Sequence, residues 1–182
     1  MVNITKQNLT SLQQQILRVL YKKAGITLNQ RQIAKQLNVS SVGVLKALPI
    51  LEKLNYITII KDKNTKRYSI ELNKNNHNIM QFKRIDNLCQ IYEYGLVDFL
   101  ENEYLGATII LFGSYSRGED LFNSDIDIAI IGRKEKNINL IVFESKFDRK
   151  ININYYDSFK NIHKNLKENL ANGIILSGGF EL

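Results

Sequence analysis

The fold of the C-terminal half is decided by the stretch Gly113-Ser114-Tyr115-Ser116-Arg117-Gly118-Glu119-Asp120, followed closely by Ser124-Asp125-Ile126-Asp127-Ile128. The Gly-Ser pair ends an apolar run, and ten residues separate Ser114 from Asp125. On a strand, Asp125 and Asp127 point to one face, while Ile126 and Ile128 point to the other, into a core. Two neighbouring carboxylates repel each other, so a divalent cation that neutralises both would keep them together. A Gly-Ser turn offers close backbone approach and N–H donors, which suit a phosphate chain. A metal ion beside a triphosphate indicates nucleotidyl transfer.

The composition is that of an ordinary globular protein with one or two domains: 182 residues, 44% of them apolar and 24% charged. No apolar run approaches the length of a membrane span, and the first residues lack the apolar segment of a signal peptide. The lone Cys89 excludes an internal disulfide, and the distance in sequence between His77 and His163 disfavours a zinc site. We therefore expect a cytoplasmic protein without a membrane partner.

The net charge of +7 is unevenly distributed along the chain. Residues 1–75 hold 13 Lys and Arg against 3 Asp and Glu, whereas residues 76–182 hold 12 against 15. The first part is therefore at +10 and the second at −3. This contrast predicts two domains with different partners, and the basic one is a candidate for binding nucleic acid.

The N-terminal pattern predicts three helices followed by a hairpin. Residues 9–23 have the apolar spacing of an amphipathic helix, a short helix follows Asn29, and a second begins at Ser40 or Ser41 after a tight turn. Two short strands, 56–60 and 67–72, are joined by a turn rich in Lys. This order resembles a winged helix-turn-helix of the kind found in transcription regulators.

The C-terminal pattern predicts a long helix from Phe82 to about Tyr104, with Cys89 on its apolar stripe, and then alternating strands and helices. This helix is either a homodimer surface or packs against the sheet that follows. The predicted strands are 107–112, 125–131, 151–156 and 174–176, and the predicted helices are 139–147 and 158–172. We expect a winged-helix domain at 1–75, a linker and long helix at 76–106, and a catalytic domain at 107–182. The predicted fold class is an α/β (α+β) domain with a mixed sheet, plus a small, mainly α winged-helix domain.

Residues 107–182 resemble the DNA polymerase β-like nucleotidyltransferase superfamily, through Phe112-Gly113-Ser114, the ten-residue spacing and Asp125-Ile126-Asp127. The similar branch is that of the minimal nucleotidyltransferases, which includes antitoxin partners of HEPN toxins. The resemblance implies that Gly113 and Ser114 cradle the β- and γ-phosphates of a nucleoside triphosphate, and that Asp125 and Asp127 are catalytic and bind two Mg²⁺ ions. Ser124 fits the nucleotide site. Arg117 either offsets triphosphate charge or pairs with Glu119 or Asp120. The simpler alternative is that the two aspartates end an edge strand facing solvent.

One position departs from the family pattern. The family carries a third carboxylate on the next core strand, and the corresponding residue here is Asn152. Asparagine can offer a carbonyl oxygen to a metal, but it adds no charge and accepts no proton at neutral pH. Asp148 and Asp157 flank the strand and could serve only in a different register. The site is thus expected to bind nucleotide and at least one Mg²⁺ ion, with slow transfer or none.

In the basic domain, the second helix of the helix-turn-helix would enter the major groove and the wing would contact phosphates. The candidate DNA-binding residues lie at the start of the two helices and in the wing: Gln30, Arg31, Ser41, Lys46, Lys61, Lys63, Lys66 and Arg67. A winged helix can also serve as a protein-docking module, but the charge contrast favours DNA, bound as a homodimer.

Two functions follow from these patterns. The first is an enzyme that moves a nucleoside monophosphate, AMP from ATP by preference, onto a macromolecular hydroxyl such as a tyrosine of a partner toxin. The second is a transcriptional regulator whose nucleotidyltransferase fold senses nucleotide or is catalytically degenerate. A third, weaker interpretation is an antibiotic nucleotidyltransferase, for which the C-terminal segment leaves little material to build an acceptor pocket.

Overall fold

A computed structural model of the protein describes residues 9–61 and 68–179. The chain forms two compact units, Met1–Lys83 and Arg84–Leu182. Among the described residues, no helix combines the length and the apolar character needed to cross a bilayer.

Residues 9–61 and 68–72 of the first unit form three helices and a two-stranded hairpin, in the order that the sequence predicts. The helices are α1 (Ser11–Lys22), α2 (Gln30–Leu37) and α3 (Ser41–Lys53), and the antiparallel strands are β1 (Ile57–Lys61) and β2 (Tyr68–Leu72). A bridge between Leu28 and Ile70 adds a short third element to the hairpin. This is the winged helix-turn-helix arrangement.

Capping residues fix the helix-turn-helix. Asn29 accepts hydrogen bonds from two backbone N–H groups at the start of α2, and Ser40 Oγ accepts one from Gly43 N at 3.0 Å at the start of α3. Between the helices, Asn38 adopts a left-handed conformation with φ 53°, which asparagine tolerates better than most residues. Apolar faces of all three helices and both strands then bury one core, with Ile16, Ile33, Val44, Leu51 and Ile70 at its centre.

The second unit is built on a four-stranded sheet in the order β5-β4-β3-β6. The strands are β3 (Thr108–Phe112), β4 (Ile126–Ile131), β5 (Ile151–Tyr156) and β6 (Ile174–Ser177). β3 is antiparallel to both β4 and β6, whereas β4 and β5 are parallel, so the sheet is mixed as the sequence predicts. The helices are α5 (Leu96–Glu103), α6 (Gly113–Arg117), α7 (Ile141–Phe147) and α8 (Lys164–Ala171), with a 3₁₀ turn at Phe159–Asn161. The single helix predicted over 158–172 is thus divided in two.

The prediction of one long helix from Phe82 to Tyr104 is wrong. The structure has α4 (His77–Glu93), which crosses the boundary between the two units, and then α5. Gly95 separates them with φ 76°, a left-handed conformation that ends a helix and that glycine adopts without strain. Tyr94 and Tyr104 pack inward in the second unit, Tyr94 with its ring centroid 4.8 Å from that of Phe147, whereas Tyr92 is exposed.

Cys89, which the sequence places on the apolar stripe of this helix and therefore in the core, is instead exposed. The part of α4 in the second unit buries Asn87, Gln90 and Ile91 and leaves Ile85 outside. The buried polar groups have partners: Asn87 Nδ2 donates to the carbonyl of Tyr115 at 2.9 Å and to Asp120 at 2.7 Å. The hydrogen bonds of Asn87, rather than the apolar stripe, therefore determine which face of this part of α4 is buried.

Candidate active site

Strand register places the predicted site residues side by side. Asp127 on β4 is paired with Phe112 on one neighbouring strand and with Asn152 on the other. Ile126 and Ile128 are fully buried, whereas Asp125 and Asp127 are partly exposed, as alternation along a strand requires. The two carboxylates thus share one face of the sheet, at the end of β3 from which Gly113 continues.

Gly113 lies directly against Asp127. Its φ is 74°, and a Cβ atom built on it would come within 2.6 Å of Asp127 Oδ2. Only glycine fits here, because the backbone is left-handed and the space for a side chain is filled by the carboxylate. The sequence indicated a turn at Gly113 and Ser114. In the structure, Gly113 instead begins the short helix α6, and Ser116 Oγ donates a hydrogen bond to the Gly113 carbonyl at 2.9 Å.

Asn152 is in contact with both aspartates. Its Nδ2 donates to Asp125 Oδ2 at 3.1 Å and to Asp127 Oδ1 at 3.4 Å. Of the other carboxylates considered for the third position, Asp148 ends α7 and Asp157 follows β5 at its far end. Within residues 9–61 and 68–179 there is no cluster of three or more His, Cys, Asp or Glu side chains suited to a metal ion.

The donor set nevertheless fits Mg²⁺. This ion prefers oxygen ligands and is commonly held by one or two carboxylates together with substrate phosphates. Asp125 and Asp127 supply two carboxylates on one face, and rotation of the Asn152 amide would present its carbonyl oxygen in place of Nδ2. The chain itself thus offers two charged ligands and one neutral one.

Arg117 and Ser124 have structural partners. Arg117 Nε lies 2.7 Å from Glu119 Oε2, so its guanidinium forms the local ion pair that was the alternative to contacting the triphosphate. Asp120, the other candidate partner of Arg117, is bound by Arg149 instead. Ser124 Oγ accepts a hydrogen bond from Leu121 N at 2.9 Å and closes the turn that leads into Asp125.

A buried polar network, not predicted from the sequence, holds the turn before Asp125. Arg149 Nη2 lies 2.9 Å from Asp120 Oδ2, and both side chains are buried. Arg149 Nη1 also donates to the carbonyls of Leu121 and Ser124, on either side of the turn before Asp125. Burial raises the pKa of the Tyr115 hydroxyl, and the nearby Asp120 carboxylate raises it further. The guanidinium of Arg149 lies over the Tyr115 ring, with its central carbon 5.6 Å from the ring centroid. The available signal in the sequence was an arginine just before a predicted strand, but the sequence does not show which distant residues it binds.

The predicted DNA-binding residues are only partly within the described chain. Arg31 and Lys46 are exposed on α2 and α3, Ser41 is half-buried, and Lys61 is exposed at the end of β1. Gln30 is half-buried, and its Oε1 is a buried atom with no hydrogen-bond partner among the described residues, so this oxygen faces inward. The remaining wing residues, Lys63, Lys66 and Arg67, lie outside the described residues.

Comparison with known families supports this description of the second unit. The family model described as a nucleotidyltransferase domain matches residues 94–175, which include Gly113, both aspartates and Asn152. Residues 94–175 of the second unit are thus similar to a nucleotidyltransferase domain. The antitoxin-type branch is not distinguished by this match. No curated protein matches the chain.

Several solved structures of bacterial regulators are similar to part of the chain. The adhesin competence repressor of Streptococcus pyogenes is 22% identical, with 56% of this chain and 71% of that chain covered and a TM-score of 0.43. A zinc-responsive MarR family member of Lactococcus lactis, ZitR, is 20% identical, with 56% and 67% covered and a TM-score of 0.42. A mutant of MepR from a multidrug resistant S. aureus clinical isolate is 27% identical with a TM-score of 0.37; the match covers 42% of this chain and 56%, little more than half, of that one.

Proposed function

We propose that the second unit binds a nucleoside triphosphate with Mg²⁺ and transfers its nucleoside monophosphate to a macromolecular hydroxyl. The observation that carries this proposal is the packing of Asp127 between Gly113 and Asn152, with Asp125 on the same face. Because Gly113 has no side chain, the backbone at the start of α6 and the two carboxylates lie side by side, where a metal-bound phosphate chain would bind. ATP is the preferred donor by resemblance.

Mg²⁺ held by Asp125 and Asp127, with Asn152 as a neutral third ligand, would stabilise the charge that develops as pyrophosphate leaves. The chain's own part is to position the substrates. Gly113 and Ser114 would hold the β- and γ-phosphates, and the turn closed by Ser124 would fix the direction of Asp125. The antitoxin-type branch points to a hydroxyl of a partner toxin of the HEPN type as acceptor.

Asn152 favours a second candidate function. If the site lacks a group that accepts the proton of the acceptor hydroxyl, nucleotide can bind without being transferred, and binding itself would then be the function of the site. The protein would then be a regulator whose DNA affinity responds to nucleotide. In both cases, we propose that the first unit binds DNA as a homodimer, with Arg31 and Lys46 exposed on the two helices of the helix-turn-helix.

The test incubates the full chain with each of four α-³²P-labelled nucleoside triphosphates, Mg²⁺ and host lysate. The Asp125→Asn/Asp127→Asn variant removes both charges at nearly constant shape, and Asp157→Asn is the matched control at an exposed position. A labelled product that requires the two aspartates but not Asp157 supports the transferase. Absence of label together with aspartate-dependent nucleotide binding that changes DNA affinity supports the regulator. Absence of nucleotide binding overturns both.

A further inference from the structure

The second helix of the helix-turn-helix, α3, presents one stripe of residues to solvent. Four apolar residues of this helix are buried in the core of the first unit: Val44, Ala47, Leu48 and Leu51. At about 100° per residue, the opposite side of the helix carries four exposed residues: Val42, Lys46, Pro49 and Lys53. The stripe therefore begins with an apolar side chain in the first turn and carries two lysines further along the helix.

Val42 is an apolar side chain without a place in the core. It is 60% exposed, and it is not among the hydrophobic residues that pack together in the described part of the first unit. Ser40 caps the helix two residues earlier, so Val42 lies in the first turn. In a helix-turn-helix, residues near the start of the second helix contact the edges of the bases. Val42 thus occupies a position from which a side chain can read the DNA sequence.

The helix offers few hydrogen-bonding groups that could read an A·T pair. Arg, Asn and Gln form paired hydrogen bonds with guanine or adenine, and none of them occurs within Ser41–Lys53. Ser41 is half-buried beside the cap, and Lys46, exposed one turn after Val42, can bind guanine or a phosphate. An apolar contact is therefore the main means by which this helix could select an A·T pair.

We infer that Val42 reads sequence by contacting the C5 methyl group of thymine in the major groove of duplex DNA. The inference rests on the DNA binding proposed above for the first unit. Thymine alone among the four bases presents a methyl group in this groove, and apolar side chains contact it. A valine on a helix has one strongly preferred χ1 rotamer, so its two methyl groups are held in place before DNA binds.

The charge around Val42 selects DNA over an apolar protein surface. Lys46 and Lys53 lie on the same stripe, and residues 1–75 carry a net charge of +10. Cations around one apolar side chain suit a groove in which phosphates flank a methyl group. RNA does not fit, because uracil lacks the methyl group and side chains cannot read the deep, narrow major groove of an A-form helix. The partner is therefore duplex DNA with thymine at the contacted position.

The test compares the affinity of the full chain for three duplexes that differ at C5 of the pyrimidine: poly(dA-dT), poly(dA-dU) and poly(dA-BrdU). Uracil lacks the methyl group, and 5-bromouracil replaces it with a bromine of similar size. Val42→Ser removes the apolar contact. Ile50→Ser is the matched control, because Ile50 is 50% exposed on the same helix but lies about 80° from Val42 around the helix axis. Fluorescence anisotropy at one salt concentration gives the dissociation constants, and circular dichroism checks that both variants fold.

We expect the wild-type chain to bind poly(dA-dT) about fourfold more tightly than poly(dA-dU), the effect of burying one methyl group, and about 15-fold more tightly where two copies of the chain each bury one. Poly(dA-BrdU) should behave as poly(dA-dT) does. Ile50→Ser should keep this ratio. Val42→Ser should reduce the ratio to less than about twofold and leave the affinity for poly(dA-dU) within about twofold of wild type.

Equal wild-type affinity for poly(dA-dT) and poly(dA-dU), or a ratio that Val42→Ser leaves unchanged, would overturn the assignment of Val42 while the proposed DNA binding stands. Failure to bind any of the three duplexes at low salt would refute that DNA binding, and the assignment with it. A duplex RNA that binds as tightly as poly(dA-dT) would contradict thymine as the ligand.

Discussion

Replacing Gly113 by alanine tests whether close backbone approach to Asp127 is essential to the site. The substitution has two separate costs. The first is conformational, because φ is 74° and an L-residue in the left-handed region costs about 1–2 kcal/mol. The second is steric, because the new methyl group would lie 2.6 Å from Asp127 Oδ2, and ordinary contact begins near 3.4 Å.

Gly132→Ala separates the two costs. Gly132 directly follows β4 and has φ 84°, and a Cβ atom there has nothing within 4 Å, so this variant has the conformational cost alone. Both variants should lower the thermal midpoint of the second unit by about 4–16 °C, from about 4–8 °C for each kcal/mol in a domain of this size. In Gly113→Ala alone, the Asp127 carboxylate must move from 2.6 Å to about 3.4 Å or displace the start of α6.

A displacement close to 1 Å at a catalytic group can cost about 100-fold in rate, so we expect transfer to fall by this order and Mg²⁺-dependent nucleotide affinity by at least about tenfold. Calorimetry with ATP and Mg²⁺, at a temperature where both variants are folded, measures the affinity. Equal nucleotide affinity in Gly113→Ala and Gly132→Ala would refute the reasoning, because it would mean that the phosphates do not depend on this approach.

Four further predictions follow from the same structure. Asn152→Asp should lower the thermal midpoint in EDTA by like-charge repulsion and increase the rise that Mg²⁺ produces; a midpoint insensitive to Mg²⁺ would argue against a metal at this position. Asp120→Ala leaves Arg149 buried without its carboxylate and should cost about 3–5 kcal/mol in urea unfolding, and a loss below about 1 kcal/mol would contradict the network. Because burial raises the pKa of Tyr115, the folded unit keeps a proton that the unfolded chain releases near pH 10; stability is full below about pH 10 and should fall above it, less steeply in Tyr115→Phe. Lys46→Ala should weaken binding to all DNA sequences and reduce the salt slope of log K by about 1 in fluorescence anisotropy, whereas an unchanged slope would remove Lys46 from the interface.

The sequence was sufficient to predict the parts of the fold that depend on local periodicity. Alternating apolar residues around Asp125 predict β4 and its buried face, and apolar spacing with Asn29 and Ser40 as caps predicts the helix-turn-helix. The resemblance to nucleotidyltransferases also followed from local signals, because the ten-residue spacing between the Gly-Ser pair and the two aspartates brings them to neighbouring strands. The position of Asn152 opposite Asp127 needed only the alignment of one further strand.

The helix α4 shows what local periodicity cannot predict. Its apolar residues at spacings of three and four predict one buried stripe, yet Ile85 and Tyr92 are exposed and Asn87 is buried. Asn87 is retained inside because it satisfies Asp120, a carboxylate 33 positions away in sequence. Without Asn87, one buried oxygen of Asp120 would lack this hydrogen bond even with Arg149 in place, and this cost favours burying Asn87 over burying Ile85. The role of Arg149 could not be predicted for the same reason, because its partners Leu121 and Ser124 lie 28 and 25 positions away in sequence.

Asn152 connects the stability of the site to the way in which a metal would enter it. In the protein alone, its amide donates to both aspartates, and this reduces the mutual repulsion of the two carboxylates without adding charge. A third carboxylate at this position would repel both and would favour a metal ion bound to the protein before any substrate. With two charges instead of three, the protein's own attraction for Mg²⁺ is weaker, and the phosphates of the nucleotide must supply the remaining ligands. The metal is then expected to bind together with the nucleotide. Occupancy of the site would therefore follow the concentration of Mg²⁺-bound nucleotide. Such dependence serves a transferase and a nucleotide-responsive regulator equally well, so the presence or absence of transfer to an acceptor is what separates them.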